Sequence, residues 1–382
     1  MIIQSSNVWI AGNFMPAQIE TTGKTISAIY PYGEKEVDVD YKDNWILPGF
    51  IDIHCHGAYG YDTNDAEEDG LKKWAKNIVS EGVTGFLSTT VTDSKETLLK
   101  AVKNVADVKD MHEAGKDGAD ILGIHFEGPY LNKEYKGAQP EQYILPASVS
   151  EFEEYQDAAN GLIKVMTIAP ENDKDYALTK YASQHGVVVS IGHSACTYED
   201  AYLAIANGAT SITHTFNAQT PFNHRNNGIV GAALRLRNVY SEIICDTKHS
   251  TKEALNIFFQ CKGKDHGVMV SDSLLCKGGK PHEIFQFGPN TVELSDDGTA
   301  YIQGTHTLSG STMRMCDGLK NLITKANVSL EAAINSCTLN PATLLKLDDH
   351  IGKIQSGYDC DLAILDKDYT VVQTYVKGIA QK

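Results

Sequence analysis

NWILPGFIDIHCH, residues 44–56, is a short apolar run that ends in two histidines, and seven further runs of similar character follow it. Segments with apolar residues at helical spacing separate the runs, and several of them end in glycine. Repeated strand-then-helix units predict a parallel sheet, and eight of them predict a closed (β/α)8 barrel. The later runs are GVTGFLST (82–89), ADILGIHFEG (119–128), LIKVMTIAPE (162–171), GVVVSIGHS (186–194), ATSITHTFN (209–217), YSEIICDTKH (240–249) and HGVMVSDS (266–273).

The two chain ends do not show this alternation of strands and helices. Residues 1–44 and the stretch from Ile354 alternate apolar and polar residues in short runs with glycine and proline between them, which is typical of strands. We therefore expect residues 1–46 and 352–382 to form one small β-sandwich lobe. Residues 47–351 would then form the catalytic barrel.

The composition of the chain argues against several classes of function. Thirty-three basic and 49 acidic residues give the 382-residue chain a net charge of −16, which argues against nucleic-acid or anionic-membrane partners. The first residues lack a basic segment followed by a long apolar run, and no apolar stretch approaches the length of a membrane span. Eight scattered cysteines without a spaced framework then predict reduced thiols and a cytoplasmic protein.

Polar residues capable of chemistry lie at the carboxyl ends of the predicted strands, where such barrels place their active sites. His54 and His56 are two residues apart, so on a strand both rings face the same side and can meet one ion. An isolated pair of this kind is more often packed or solvated. The buried strand that delivers the pair into the barrel mouth favours a metal site.

Three further strand ends supply Glu127, His193 and His214. Two imidazoles and one carboxylate are a ligand set of catalytic zinc, with one position left for water. Asp272 ends the eighth run and could take a proton from that water. Taken singly, each of these residues has a structural alternative, such as a capping carboxylate or a packed histidine. Their meeting at one barrel face favours chemistry.

The reaction class follows from this set. Metal-activated water with a carboxylate to move protons hydrolyses an amide, a cyclic amidine or an ester. The sequence has no G-x-S-x-G nucleophile elbow, no Walker loop and no G-x-G-x-x-G fingerprint. Nucleotide-driven and hydride-transfer chemistry therefore find no support.

The motifs LPGFIDIHCHG, GIHFEGPYLN, KGAQPE, TIAPE, GHSACT, THTFNA, VSDS and TLSGST occur in one order. In this the chain resembles the N-acetylglucosamine-6-phosphate deacetylases of the amidohydrolase superfamily, from about residue 45 to residue 342. The resemblance implies that Glu127, His193 and His214 hold the principal divalent metal and that Asp272 is the general base and then the acid. His54 and His56 match a pair that binds a second metal in some members. Zinc is the first expectation, with iron, cobalt or manganese as alternatives.

The resemblance also implies a phosphorylated amino sugar as the substrate. Arg225 matches an arginine that reaches the phosphate in the neighbouring subunit, which implies a homodimer, although its residue environment alone fits a solvated loop charge. Gln139 stands where many relatives have histidine, so that one substrate contact would differ. The residues implied to contact substrate in the same subunit are Ala138, Asn217, Ala218, His249, Leu308, Ser309 and Gly310.

Two alternatives stay open at this stage. A related metal-dependent amidohydrolase could act on another N-acetylated amino sugar or on a different amide, in which case an unphosphorylated substrate has no need of Arg225. A non-catalytic relative could use the barrel as an interaction scaffold. Such proteins usually lose metal ligands, whereas this sequence retains every candidate ligand.

Overall fold

The computed structural model describes residues 1–288 and 290–381 and contains the predicted barrel. Each of the eight runs provides one strand of a single parallel sheet, so the prediction of a (β/α)8 barrel is confirmed. Barrel strands one to eight are Phe50–Cys55, Val83–Thr89, Asp120–Glu127, Ile163–Ile168, Val188–Ile191, Ser211–Ile212, Tyr240–Ile244 and Gly267–Val270.

The strands follow one another around the barrel in chain order. Closure between strands one and eight comes at their carboxyl ends. The Asp272 amide donates to the His54 carbonyl and the His56 amide donates to the Ser273 carbonyl, both at 2.8 Å. The seam of the barrel therefore runs directly beside the two histidines of the first motif.

Helices surround the barrel and turn apolar faces toward it. In the helix Lys95–Met111, Leu98, Val102 and Val105 are fully buried, at the spacing that places them on one face. The α-helices are Glu68–Ile78, Lys95–Met111, Val149–Ala158, Ala177–Gln184, Tyr198–Ala206, Gly228–Arg235, Lys252–Lys262, Met315–Thr324, Leu330–Ser336 and Leu339–Leu344. The short 3-10 helices are Thr63–Asp65, Val79–Glu81, Glu141–Tyr143, Pro170–Asn172 and Lys174–Tyr176.

Helix starts carry the expected capping residues. Thr197 and Asp200 form a reciprocal capping box at the start of the helix Tyr198–Ala206, where each side chain accepts from the other's backbone amide. This box follows the GHSACT motif. It fixes the point at which the chain leaves the barrel mouth after His193.

Both chain ends enter one sheet, as predicted. The strand Trp45–Pro48 pairs in parallel with the first strand and antiparallel with Leu362–Leu365. The strands of this terminal sheet are Ile2–Ile10, Asn13–Thr22, Thr25–Pro31, Val39–Asp40, Trp45–Pro48, Leu362–Leu365, Val371–Val376 and Ile379–Ala380. The sheet has an apolar core of its own, in which Ile26 and Tyr375 from distant strands belong to one cluster. The boundaries at residues 46 and 352 stay predictions.

A three-stranded antiparallel sheet lies between barrel strand eight and the helix Met315–Thr324. We call it the cover sheet; its strands are Ile284–Phe287, Asn290–Leu294 and Ala300–Ile302. Phe287, Val292 and Leu294 pack with Leu275 in a separate apolar cluster, which anchors the sheet beside the barrel mouth. A smaller pair of strands, Gly57–Ala58 and Tyr61–Asp62, follows barrel strand one.

Two further expectations concern the whole chain. Among the described residues, no helix combines the length and the apolar character that a membrane crossing requires. All eight cysteines are free thiols in the described part of the chain, and seven of them are buried.

Candidate active site

The carboxyl ends of the barrel strands surround a cavity of about 330 Å³. Most of the residues singled out in the sequence line it, so the barrel brings together side chains that lie far apart in the chain. The predicted residues on its wall are His56, Glu127, Ala138, His193, His214, Asn217, Ala218, His249, Asp272, Leu308 and Gly310.

Glu127, His193 and His214 form a compact triangle of ligand atoms. Glu127 Oε1 lies 3.4 Å from His193 Nε2 and 3.3 Å from His214 Nε2. The two imidazole nitrogens are 3.2 Å apart. A tetrahedral ion with bonds of about 2.0–2.1 Å separates its ligand atoms by about 3.3 Å, so the triangle has the dimensions of a zinc-type site.

Hydrogen bonds behind the triangle settle which nitrogens face it. His193 Nδ1 donates to the Tyr135 carbonyl at 2.9 Å, and His214 Nδ1 donates to the Asn217 carbonyl at 3.1 Å. In the neutral form, which is the form that binds a metal, both rings therefore present a bare Nε2 to each other. Glu127 Oε1 is buried and has no hydrogen-bond donor of its own. Three lone pairs that converge without a proton between them fit a bound cation.

A second group of ligand atoms adjoins the first. His54 Nε2 and His56 Nε2 are 3.3 Å apart, and Asp272 Oδ1 lies 3.5 Å and 3.2 Å from them. Glu127 borders both groups, because Oε2 lies 3.3 Å from His56 Nε2 while Oε1 faces the triangle. The donor sets therefore suit one ion, or two ions that share Glu127.

The pKa values of the carboxyl and imidazole groups in this centre are strongly shifted from their usual values. Burial by itself would raise the pKa of Glu127, but His54 and His193 lower it well below its usual value. Asp272 is similar, since burial opposes ionisation while His56 and His54 lower the pKa. Burial would lower the pKa of His56, but Asp272 and Glu127 raise it to about 9. Without an ion, the two carboxylates thus stay charged, and the neighbouring His56 tends to hold a proton.

The backbone at these strand ends is unusual. His193, His214 and Asp272 have φ angles of 47°, 22° and 49°, in the left-handed region that L-residues rarely adopt. Each such residue costs about 1–3 kcal/mol, and such strain clusters at functional sites. Gly310 is also left-handed, and a Cβ there would lie 2.8 Å from the Asp272 carbonyl oxygen. The close approach of the TLSGST loop to Asp272 therefore requires glycine.

Three predicted residues lie off the cavity wall. His54 is fully buried behind His56, and Ser309 is fully buried behind its neighbours Leu308 and Gly310. Arg225 lies in the exposed loop 221–227 and does not reach the cavity of its own chain.

His249 lines the cavity and is held by a neighbouring carboxylate. Its Nδ1 donates to Asp246 Oδ2 at 2.7 Å, and its backbone amide donates to the other oxygen of the same side chain. Burial lowers the pKa of His249, but Asp246 more than compensates and the net pKa is raised. The ring is thereby fixed with Nε2 free to meet a bound molecule.

Gln139 lies on the cavity wall and also contacts Glu127. Its Nε2 donates to Glu127 Oε2 at 2.7 Å, and its Oε1 accepts from the Thr92 amide at 2.8 Å. The side chain is only 5 % exposed. It therefore braces the carboxylate that the two groups of ligand atoms share.

Replacing Gln139 by leucine should weaken metal binding about tenfold or more, because partners behind a metal ligand typically contribute 10–100-fold to affinity. The buried Thr92 amide would also lose its acceptor, which should lower the free energy of unfolding by about 1–3 kcal/mol. Metal titration of chelated protein and urea denaturation measure the two effects. Gln142→Leu, at an exposed position in the same loop, is the matched control. An unaltered metal affinity in Gln139→Leu would contradict the bracing role.

Sequence reasoning missed further residues. Glu242 is buried within barrel strand seven and accepts from His54 Nδ1 at 2.9 Å. A carboxylate inside an apolar strand was the available signal, because a buried charge needs a partner. Phe287, His306 and Thr307 reach the cavity from the cover sheet and the loop after it. No local pattern indicated that this segment would fold over the barrel mouth.

A (β/α)8 barrel with clustered imidazoles and carboxylates at its carboxyl face defines a hydrolase of the metal-dependent type. Comparison with known proteins agrees. Residues 45–380 match the amidohydrolase family. N-acetylglucosamine-6-phosphate deacetylase of Bacillus subtilis (strain 168) is 35 % identical over 348 residues, which span 91 % of this chain and 87 % of the relative. The human deacetylase is 34 % identical over 345 residues, which span 87 % and 82 %.

Solved structures give the same result. N-acetyl-D-glucosamine-6-phosphate deacetylase from Mycobacterium smegmatis superposes with a TM-score of 0.93 at 27 % identity and covers 100 % of this chain and 99 % of its own. The enzyme from Thermotoga maritima superposes with a TM-score of 0.89 at 30 % identity and the same coverage. The chain belongs to the amidohydrolase family and, within it, to the group of N-acetylglucosamine-6-phosphate deacetylases.

Proposed function

We propose that this protein hydrolyses N-acetyl-D-glucosamine 6-phosphate to D-glucosamine 6-phosphate and acetate. One observation carries the proposal: two bare imidazole nitrogens and a bare carboxylate oxygen converge beside Asp272 at the base of a cavity. The choice of substrate is supported by the similarity to N-acetylglucosamine-6-phosphate deacetylases. The reaction would belong to amino-sugar catabolism and recycling, and a cytoplasmic location stays a prediction.

Glu127, His193 and His214 would hold the principal divalent cation, and His54 and His56 would hold a second one beside Glu127. A bound cation supplies Lewis acidity, which lowers the pKa of water and polarises a carbonyl group. Zinc is the first candidate because it commonly binds such sites, and iron, cobalt or manganese suit the same ligands. The expected content is one or two ions per chain.

Asp272 would move the proton. Its carboxylate, kept ionised by His56 and His54, accepts a proton from the attacking water as the water oxygen bonds to the acetyl carbon. The carbon–nitrogen bond then breaks, and Asp272 returns the proton to the departing nitrogen. Acetate and the free amine are the products, and Asp272 ends as it began.

The rest of the cavity would bind the sugar phosphate. His249, held by Asp246, is placed to meet the sugar and the reacting carbonyl. The Asn217–Ala218 turn would offer backbone groups to the phosphate, and its conformation is tied to His214 because the Asn217 carbonyl accepts from that ring. The remaining proposed contacts are Ala138, Leu308, Ser309 and Gly310.

Arg225 would serve the neighbouring subunit of a homodimer. It lies outside its own cavity in an exposed loop that also carries Phe222, which is 56 % exposed. A guanidinium group that donates two parallel hydrogen bonds suits a phosphate group. An exposed aromatic side chain in the same loop suits burial against a second copy of the chain.

Replacing Arg225 by alanine should raise KM for the phosphorylated substrate about 10–100-fold, because a hydrogen bond to a charged group contributes about 1.5–3 kcal/mol. Steady-state kinetics with phosphorylated and unphosphorylated N-acetylglucosamine measure the effect. Arg237→Ala, at another exposed arginine, is the control and should leave KM unchanged. If light scattering finds a monomer in which Arg225→Ala still raises KM, the role across the dimer is wrong.

The experiment that tests the function pairs elemental analysis of the purified protein with an acetate-release assay on N-acetylglucosamine 6-phosphate. Acetate release with about two ions per chain supports the deacetylase with His54 and His56 as ligands. Release with one ion keeps the function and removes that pair from the ligand set. Equal turnover of unphosphorylated N-acetylglucosamine, unaffected by Arg225→Ala, favours another amide substrate. Bound metal without acetate release would refute the deacetylase proposal.

A further inference from the structure

The carboxylate of Glu242 faces His54 from the side opposite the cavity. His54 and Glu242 are fully buried, and His54 Nδ1 lies 2.9 Å from Glu242 Oε2. The same oxygen lies 3.3 Å from the backbone amide of His214. Glu242 therefore touches the first histidine motif and the backbone of a residue in the principal triangle.

This contact determines the tautomer of His54. An ionised carboxylate only accepts hydrogen bonds, so Nδ1 of His54 must carry the proton. In the neutral, metal-binding form of the ring, Nε2 then presents its lone pair to the cavity side, where His56 Nε2 lies at 3.3 Å and Asp272 Oδ1 at 3.5 Å. Without Glu242, the proton could reside on either nitrogen and Nε2 would lose its fixed direction.

The neighbouring ring of His125 completes the support without forming another metal site. It packs against His54 with ring centroids 4.4 Å apart. Both of its nitrogens are already engaged, Nδ1 with the Ile53 carbonyl at 3.0 Å and Nε2 with Thr167 Oγ1 at 2.7 Å. His54, His125 and Glu242 lie close enough to hold an ion, but the engaged nitrogens leave His125 no lone pair to offer.

We propose that Glu242 is the positioning residue that fixes the tautomer and direction of His54 and thereby sets the affinity for a second divalent cation at His54, His56 and Asp272. The inference rests on the proposed function in one respect, the use of His54 and His56 as ligands. A carboxylate behind a metal-binding histidine also makes the ring a stronger base, and such partners typically contribute 10–100-fold to metal affinity.

The test uses the full chain, stripped of metal by a chelator and titrated with Zn²⁺ in a calorimeter. Glu242→Leu keeps a similar volume but removes the acceptor, so the second Zn²⁺ should bind about 10–100-fold more weakly. The first Zn²⁺ should lose much less affinity than the second, because Glu242 contacts only the backbone amide of His214 and not its ring. Retained binding of the first Zn²⁺ also reports that the barrel is folded. Glu242→Gln retains a neutral acceptor and should show a smaller loss of several-fold.

Glu253→Leu, at an exposed glutamate on the helix after barrel strand seven, is the matched control. If Glu242→Leu does not fold, the several-fold loss in Glu242→Gln carries the test by itself. If the unsubstituted protein binds two ions and the folded Glu242 variants bind the second ion with unaltered affinity, the deacetylase proposal stands and the role of Glu242 is overturned. One ion in an active protein would overturn it together with the ligand roles of His54 and His56. A weakened second ion in a protein without deacetylase activity would support Glu242 and refute the deacetylase proposal.

Discussion

Replacing Asp272 by asparagine is expected to lower kcat for deacetylation by about 10²–10⁴-fold, which is the usual contribution of a positioned general acid or base. Asparagine has nearly the same shape but an amide that cannot take a proton from water. The charge balance around it also changes, because Asp272 is one of the acids that raise the pKa of His56 to about 9. Acetate release under substrate saturation measures the effect.

Two controls separate proton transfer from damage to the site. Elemental analysis should find the ion at Glu127, His193 and His214 retained in Asp272→Asn, because Asp272 is outside that triangle. Asp296→Asn, at a highly exposed position in the cover-sheet hairpin, should leave kcat unaltered. A kcat for Asp272→Asn within about threefold of the unsubstituted enzyme would contradict the general-base role, since it falls far below the usual contribution.

The second large effect is expected at Glu127. Its carboxylate lies within 3.5 Å of nitrogen atoms from four imidazoles and borders both groups of ligand atoms. Removing one partner from a buried charge pair costs about 3–5 kcal/mol, and this corresponds to about 10²–10⁴-fold in metal affinity. Glu127→Gln should therefore lose bound metal during purification and, with it, detectable acetate release.

Metal content and activity should be followed together as Zn²⁺ is returned to the Glu127→Gln protein. Partial recovery at high Zn²⁺ concentration is expected if the loss is one of affinity. Glu171→Gln provides a comparison, because this carboxylate accepts from Ser194 and the Ala195 amide beside the site without touching the triangle. Full metal content in purified Glu127→Gln would show that the ligand assignment is wrong.

The candidate site was predicted from sequence to the extent that its residues end barrel strands. His54, Glu127, His193 and Asp272 all follow buried runs, and a parallel barrel gathers the carboxyl ends of its strands on one face. The proximity of these four side chains to one another therefore follows from the topology of the barrel. Their roles in catalysis stay predictions that the variants above will test.

The contacts behind the ligands were not predictable in this way. Gln139 lines the cavity, and its side chain donates to Glu127, a contact that the sequence did not indicate. Glu242 reaches His54 across 188 positions of sequence. Residue spacing identifies neither partner, since the first pairing depends on the course of a loop and the second on how barrel strands one and seven lie relative to each other.

The sequence by itself determined the number and order of barrel strands, the joining of the two chain ends in one sheet and the position of the candidate metal ligands at the strand ends. Strand periodicity and the geometry of a closed parallel sheet are sufficient for these features. Only the tertiary structure decided the tautomer of His54, the brace on Glu127 and the placement of Phe287 over the cavity mouth. Each of these depends on contacts between a barrel strand and a segment outside that strand, and residue spacing along one strand carries no information about such contacts.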